Sequence, residues 1–575
     1  MLKIKRKNLA WISFILIVLL FGFFYFDMIF SLPLFGDATI QGRITKDMLN
    51  RGLLDAEMGY PPLYNILQGI LFSLFGESGM NSIVFLGLLL IAVSIFLLVK
   101  EVTDRVPIAL LSTIIVLASP KIIFYSGRMY MEVLVSGLLI FTIFLLIRFV
   151  KTRSTKNLIL LTIFTAITAC IKQQGLFILF PSILLSLCCF FVIEKRRGNE
   201  DKIQNRLTIK HILIYFFIFF LLISPAYLVV IRNSGEIMQG SEEFGIFRLV
   251  NQVGRQVSGY KEPVEDIGFE GKWGQRLEEI EERYYDIGAT RAEIRHTWPL
   301  DPIISWEGFS KINGLYLEKF GGGSTSRELA DCINFIMLFG LVLFVLNIMF
   351  KNKILKFKDS GLQFYFLIFL VIFLAINYTL FLRNTDQVRY HLFVSIIFSL
   401  FSAVGVYFLV DFLILQNKFS TYARIMSVSL ILILLVTTLI TLTYEDTTFN
   451  KRWGASQVYS SSKGGVASIQ EAGEWLNNHT NDDDPIWQNC GNELSYYSGR
   501  KVIGSFEFYF LNESELGEIF KDQNVRYIVV FDAMIVPDEK WINFCWVPES
   551  FVEKIRKIYP RTYRTSFGDI GIYEV

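Results

Sequence analysis

Long apolar runs separated by short basic clusters set the pattern of this chain. Runs near 9–30, 80–100, 107–125, 129–149, 157–172, 175–193, 211–231, 329–350, 361–381, 390–415 and 424–443 are each long enough to form a membrane-crossing helix. They predict a polytopic α-helical membrane protein of about eleven transmembrane helices. The first run is too long for the core of a signal peptide, and no small-x-small cleavage site follows it, so it is expected to remain as a helix.

Two segments break this pattern. GYPPLYNILQGILFSLFGES, residues 59–78, opens on Pro61-Pro62 and is too short to cross a bilayer comfortably, which predicts an interfacial or re-entrant helix. In residues 38–54, Ile40, Ile44, Met48, Leu49 and Leu53 form a stripe at helical spacing, while Arg43, Lys46, Asp47 and Arg51 lie elsewhere around the wheel. A helix lying on the membrane surface is expected there.

After residue 444 the pattern changes to short strands and amphipathic helices. NVRYIVVFDA reads as a buried strand, SELGEIFKD as the helix before it, and TYRTSF and GIYEV as closing strands. Residues 1–444 are therefore expected to form the transmembrane part, with outer loops 31–79 and 232–328, and residues 445–575 an extracytoplasmic α/β domain. The charged run KWGQRLEEIEERYYD in the second loop reads as a solvated helix, and as a candidate acceptor platform or lid. Cys490 and Cys545 fall in the C-terminal domain as either a disulfide or two buried thiols.

Composition agrees: 53% hydrophobic and 15% aromatic residues, with a mean hydropathy of +0.45, are too apolar for a soluble chain of this size. The net charge of +2 gives no argument for nucleic acid and no nucleic-acid motif appears, so no nucleic-acid partner is expected. The placement of the basic residues carries more information. With the N-terminus in the cytoplasm, loops 100–105, 151–156, 195–210, 351–358 and 418–424 all become basic cytoplasmic loops, as a multi-pass protein of the plasma membrane requires. The C-terminus then lies outside.

Ionisable residues collect at the opposite boundary. Asp37 follows the first run, Arg128 and Glu132 lie in FYSGRMYMEV, Lys172 in CIKQQG, and Arg389 in LRNTDQVRY. Charges at membrane depth are costly unless they are paired or face a wet cavity, so their convergence at one level suggests a site. Two carboxylates beside a cationic, phosphate-binding group is the chemistry they suggest. Arg128 can equally snorkel to headgroups, as can Arg383 of the same LRNTDQVRY stretch as Arg389, Lys172 can simply end a span, and Asp37 can cap the helix that follows it. Glu132, about one turn into an apolar helix, has no such alternative. No cluster of His ligands accompanies Asp37 and Glu132, so no metal or other cofactor is expected, although the two carboxylates could share a divalent cation with a phosphate.

An acidic residue after the first run, the YPPLY segment (Tyr60, Pro61, Pro62, Tyr64), a carboxylate early in the fourth run, a K-x-x-G break from Lys172 to Gly175, and the pair Arg389-Tyr390 occur in that order. This order resembles that of GT-C-type membrane glycosyltransferases, the group containing the protein O-mannosyltransferases and the aminoarabinose transferases that modify lipid A. The resemblance spans roughly residues 9–400. It implies transfer of a sugar from a polyprenyl-phosphate donor to a lipid, glycan or protein acceptor outside the membrane. Asp37 would be the general base, Glu132 the second acidic residue, and Lys172, Arg389 and Arg128 the phosphate-binding cations. Tyr60, Pro61, Pro62, Tyr64 and Tyr390 would line the lipid or substrate path, among membrane lipids. The chain departs from the pattern where Asp37-Ala38 replaces an Asp-Glu pair and where HLF, without proline, follows Tyr390.

The chemistry is coherent on its own terms. A hydroxyl nucleophile needs a carboxylate to accept its proton, whereas a phosphate leaves as an anion and needs only fixed positive charge. One direct displacement would invert the anomeric centre. Rival readings are a transporter or flippase of lipid-linked sugars, which would carry midplane charges and inverted repeats, and a polymerase or ligase, which would lack the carboxylate after the first run. A mere anchor for the C-terminal domain would need a single span.

Overall fold

A computed structural model describes residues 6–31, 37–53, 61–127, 129–196, 207–237, 245–258, 327–350, 359–381 and 392–416. Further on it describes 466–481, 484–488, 492–503, 506–532, 535–536 and 547–575, together with a few isolated positions. The helices of the first part are α1 (Arg6–Ser31), α2 (Asp37–Arg51), α3 (Leu63–Phe75), α4 (Glu77–Thr103), α5 (Val106–Leu117), α6 (Pro120–Gly127) and α7 (Glu132–Thr152). They continue with α8 (Thr155–Ile171), α9 (Phe180–Arg196), α10 (Ile209–Ser234), α11 (Gly245–Ser258), α12 (Arg327–Met349), α13 (Ser360–Phe381) and α14 (Leu392–Gln416).

Among the described residues, seven helices are long and apolar enough to cross a membrane, or eight if α5 and α6 count as one broken span. Ten of the eleven predicted runs coincide with helices, and the run at 424–443 lies outside the described residues apart from isolated positions. Two runs differ from the expected straight span. The third is bent by 50° between α5 and α6, because Pro120 cannot donate a backbone hydrogen bond and its ring clashes with the preceding turn. The Tyr25 hydroxyl donates to the Leu117 carbonyl at 2.9 Å, supplying a partner at the broken end. The fifth, α8, has only 17 residues and stops at the K-x-x-G break.

Burial identifies the solvent around these helices. Along α1, Ile15, Leu16, Leu19 and Phe23 are exposed while Phe14, Phe21, Tyr25 and Met28 are buried. In α3 the polarity is inverted: Tyr64, Asn65 and Gln68 are buried, and Ile70, Leu74 and Phe75 are exposed. A helix that hides its polar face and presents its apolar one is built for lipid. The chain is a multi-pass membrane protein.

Glycines permit close helix crossings. A Cβ on Gly87 of α4 would lie 2.8 Å from the Cα of Leu134 in α7, and one on Gly137 would lie 3.0 Å from the Gly87 carbonyl. Ser94 donates to the Gly137 carbonyl across the same contact. Small residues thus let α4 and α7 approach backbone to backbone, as in many membrane helix pairs.

The helix expected over 38–54 is present as α2, but its buried face differs from the expected stripe. Ala38, Thr39, Gln41, Ile44, Thr45 and Met48 are buried, whereas Leu49 is exposed. Three of the buried side chains are polar, so the face is chosen by packing against protein groups that can accept and donate hydrogen bonds, and apolar spacing alone does not reveal it.

The chain separates into two compact units. One holds residues 48–260 and the helices before and after them; the other holds residues 37–47 of α2 and the described residues after 451. In the second unit, β1 (Ile486–Trp487), β2 (Val502–Ile503), β3 (Tyr527–Phe531), β6 (Arg561–Arg564) and β7 (Ile570–Glu574) form a five-stranded sheet in the order β2-β1-β3-β7-β6. β1 is parallel to β2 and β3, while β7 runs antiparallel to β3 and β6. β4 (Ile535–Val536) and β5 (Val547–Pro548) pair separately.

Each face of the sheet has its own core. α15 (Val466–His479) and α16 (Asn492–Ser498) contribute Ile469, Ala472, Leu476 and Leu494 to one face. α17 (Glu513–Asp522) and α18 (Glu549–Ile558) contribute Leu516, Ile519, Phe551 and Ile555 to the other. Strand alternation divides the sheet residues between them, with Ile528 and Val530 on one side and Tyr527, Val529 and Phe531 on the other. The cysteines at 490 and 545 lie outside the described residues, and Cys170, Cys188 and Cys189 are free thiols.

Candidate active site

α7 and α8 form a hairpin closed by Arg153, at φ 52° in the left-handed region, and by extended Ser154. The N-terminus of α7 and the C-terminus of α8 therefore lie at the same end. Glu132 is the first residue of α7 and Lys172 the residue that caps α8. A carboxylate at a helix N-terminus and an ammonium at a C-terminus are each favoured by the helix dipole. α8 is four residues shorter than α7 (21 minus 17), about 6 Å of helix. The extended backbone and long side chain of Lys172 cover the difference. Lys172 Nζ donates to Glu132 Oε1 at 2.6 Å, with both residues buried.

The K-x-x-G break is a built structure. After Lys172 the chain turns through Gln173 and Gln174 into a π-helical turn, Gly175–Leu179, which leads into α9. A Cβ on Gly175 would sit 2.3 Å from the backbone nitrogen of Ala169, so only glycine lets the chain fold back this tightly. The Tyr227 hydroxyl donates to the Ala169 carbonyl at 3.1 Å, and Gln173 Nε2 donates to the Ile237 carbonyl at 3.0 Å. Both contacts tie the break to α10 and the residues after it. π-turns of this kind recur at functional sites.

Part of the YPPLY segment comes near the same pair through Tyr64. Pro61 and Pro62 are buried and lead into α3, which packs on α4 and reaches α8. The Tyr64 side chain is fully buried, and its hydroxyl lies within electrostatic reach of the Glu132 carboxylate. Asn65 and Gln68 extend this buried polar face along α3. Beside them, Met48 and Leu49 of α2 with Ile66, Gly69, Ile70, Ser73 and Leu74 of α3 line an open apolar groove of about 360 Å³.

Of the residues expected from sequence, the structure thus brings together Glu132, Lys172 and Tyr64, with Pro61 and Pro62 at the start of the same helix. The Glu132–Lys172 contact also gives Glu132 a structural reason to be buried, as the counter-ion of a lysine. Asp37 is the first residue of α2 and belongs to the second unit. Tyr60, Arg128, Arg389 and Tyr390 lie outside the described residues. Among the described residues, no three His, Cys, Asp or Glu side chains converge as a metal site.

The sequence reading missed Asn65 and Gln68, which stand three residues apart inside an apolar run and so mark a polar stripe on a helix. It also missed Lys121. This lysine follows Pro120 in SPKIIFY, is fully buried, and donates to Ser395 Oγ of α14 at 2.9 Å. A lone lysine amid apolar residues just after a proline was the available signal.

The family model described as dolichyl-phosphate-mannose-protein mannosyltransferase matches residues 60–228. That interval holds the YPPLY helix, Glu132 and Lys172. The crystal structure of ArnT from Cupriavidus metallidurans bound to undecaprenyl phosphate superposes over 98% of this chain and 97% of that one, with a TM-score of 0.52 and 11% identity. The apo state of ArnT from the same organism covers 99% and 98%, with a TM-score of 0.44 and 12% identity. No curated protein sequence matches the chain. At this identity the ArnT likeness concerns the fold alone, which the chain shares along nearly its whole length, and the chain resembles the mannosyltransferase family in sequence over residues 60–228.

Proposed function

We propose that this protein is a membrane glycosyltransferase that moves a sugar from a polyprenyl-phosphate donor to an acceptor hydroxyl on the extracytoplasmic side. The observation that carries the reading is the buried Glu132–Lys172 pair beside Tyr64, set at a helix break within a fold shared with a protein that binds undecaprenyl phosphate. A structural helix hairpin has no need of a charged pair at membrane depth, where desolvation opposes it.

In this mechanism the acceptor oxygen forms a bond to the anomeric carbon while the bond from that carbon to the phosphate oxygen breaks, its electron pair leaving with the phosphate. Asp37, placed by sequence directly after the first span, accepts the acceptor's proton. Lys172, Arg128 and Arg389 hold the phosphate and its growing charge. Because Lys172 is also the partner of Glu132, the carboxylate fixes the ammonium in place. The products are the glycosylated acceptor, with inversion at the anomeric carbon, and polyprenyl phosphate. The apolar groove along α3 suits part of the donor's isoprenoid chain.

Mass spectrometry of lipid-linked sugars in a deletion strain tests this. Accumulation of one polyprenyl-phosphate sugar, together with loss of that sugar from an envelope glycan, lipid or protein, is expected. Unchanged lipid-linked pools would overturn the reading. Purified protein that moves such a lipid across vesicles without consuming it would point to a transporter.

A further inference from the structure

The helix that begins at Asp37 belongs, over its first eleven residues (37–47), to the same compact unit as the C-terminal sheet. Within that unit Lys46 Nζ lies 3.9 Å above the ring of Tyr496 in α16, a distance at which a cation is held by the aromatic face. Thr39, Gln41 and Thr45 of the same stretch are buried, which lipid or an apolar groove would penalise and a polar protein surface permits.

The platform beneath Lys46 is rigid. α16 leaves the end of β1, a strand held on both sides by parallel neighbours. A Cβ on Gly473 of α15 would lie 2.7 Å from the Tyr497 Cβ, so the two helices touch where only glycine fits. Arg500 closes the turn after α16: Nε donates to Thr480 Oγ1 at 2.7 Å, and Nη2 donates to the carbonyls of Asn477 and Thr480, each at 2.9 Å. Tyr496 itself is 3% exposed and has little freedom to move.

We propose that the C-terminal α/β unit is a working part of the transferase, holding the segment that carries Asp37 through the Lys46–Tyr496 contact. Tyr496 and Lys46 are then positioning residues for the general base. This rests on the reading of Asp37 given above. General-base catalysis is sensitive to placement, since a displacement of about 1 Å can cost on the order of 100-fold in rate.

The test uses full-length protein in nanodiscs and polyprenyl-phosphate sugars extracted from the source membranes. Tyr496→Leu and Lys46→Met should each speed amide hydrogen exchange across residues 38–47 and lower kcat by about 10-fold or more, with KM for the donor unchanged. Tyr496→Phe and Lys46→Arg, which keep the ring and the cation, should behave like the parent, and the Lys46→Met/Tyr496→Leu double variant should be no slower than either single one. Unchanged exchange in both loss variants, or faster exchange with kcat intact, would overturn the proposal. If Tyr496→Leu does not fold, Lys46→Met decides alone, because Lys46 is only half-buried. The exchange readout does not depend on Asp37 chemistry, so near-normal transfer by Asp37→Asn would end the base assignment and leave the anchoring result standing on its own.

Discussion

Glu132 Oε1 and Lys172 Nζ lie 2.6 Å apart although 40 residues separate them in the chain, and both are buried. Glu132→Gln removes the charge that faces the Lys172 ammonium in a buried contact, which is expected to cost about 3 kcal/mol of stability. Glu132→Gln/Lys172→Met, which removes both charges, should recover most of that stability yet remain inactive. Thermal unfolding and transfer measured side by side check this. A double variant that transfers normally would reduce the pair to a helix staple.

Asp37→Asn keeps the size and capping oxygen of the side chain but removes its charge and most of its basicity. The variant should insert and bind donor, and lose roughly 100-fold or more in transfer. Transfer by purified protein, with thermal stability and donor binding recorded alongside, separates base from cap. Near-normal turnover would mean that Asp37 only starts its helix.

Ile70→Asn and Leu74→Asn place amides in the apolar groove without touching the buried face of α3. Affinity for a long-chain polyprenyl phosphate should fall about 5-fold or more, in line with the loss of one partly buried aliphatic contact. A donor with only two isoprene units should be indifferent to the change. Equal losses for both chain lengths would show that the groove does not hold the tail.

In the C-terminal unit, burial alone would push the Glu471 carboxyl up, but hydrogen bonds from Ser566 and Tyr563 more than offset it and hold the carboxyl below its ordinary value of 4.5. A depressed carboxyl contributes stability that is present above the unfolded value and lost as pH falls through the folded one. Acidification below about pH 4.5 should therefore loosen the contact between α15 and β6. Trp475 reports it, being stacked between Tyr563 at 5.0 Å and His479 at 4.2 Å. Its fluorescence should shift at acid pH in the parent protein, and the shift should be flattened in Glu471→Gln.

Much of this fold is legible in the sequence because membrane helices are written in composition: a run of apolar residues must be helical once it is in lipid. The C-terminal strands are legible for a similar reason, since YIVVF and GIYEV are buried on one or both faces. Packing polarity is not legible in this way. The buried face of α2 contains Thr39, Gln41 and Thr45, and an apolar-stripe search passes over them. Glu132 and Lys172 stand out singly as charges out of place, but their contact depends on the αL turn at Arg153 and on the unequal lengths of α7 and α8, which no local signal announces. The bend at Pro120 could have been expected from the proline itself.

The short turn between α7 and α8 bears on how the protein is made. During synthesis the hairpin is complete as soon as α8 emerges, before α9 exists, and its two ends differ in electrical character. Arg148, Lys151, Arg153 and Lys156 sit at or near the turn, where positive charge retains a loop on the cytoplasmic side. Glu132 and Lys172 sit at the other end, which the proposed orientation sends across the hydrocarbon. Joined by their hydrogen bond, they can make that passage as a couple of opposite charges, so the contact proposed above to hold the phosphate-binding ammonium also lowers the cost of translocating its own ends.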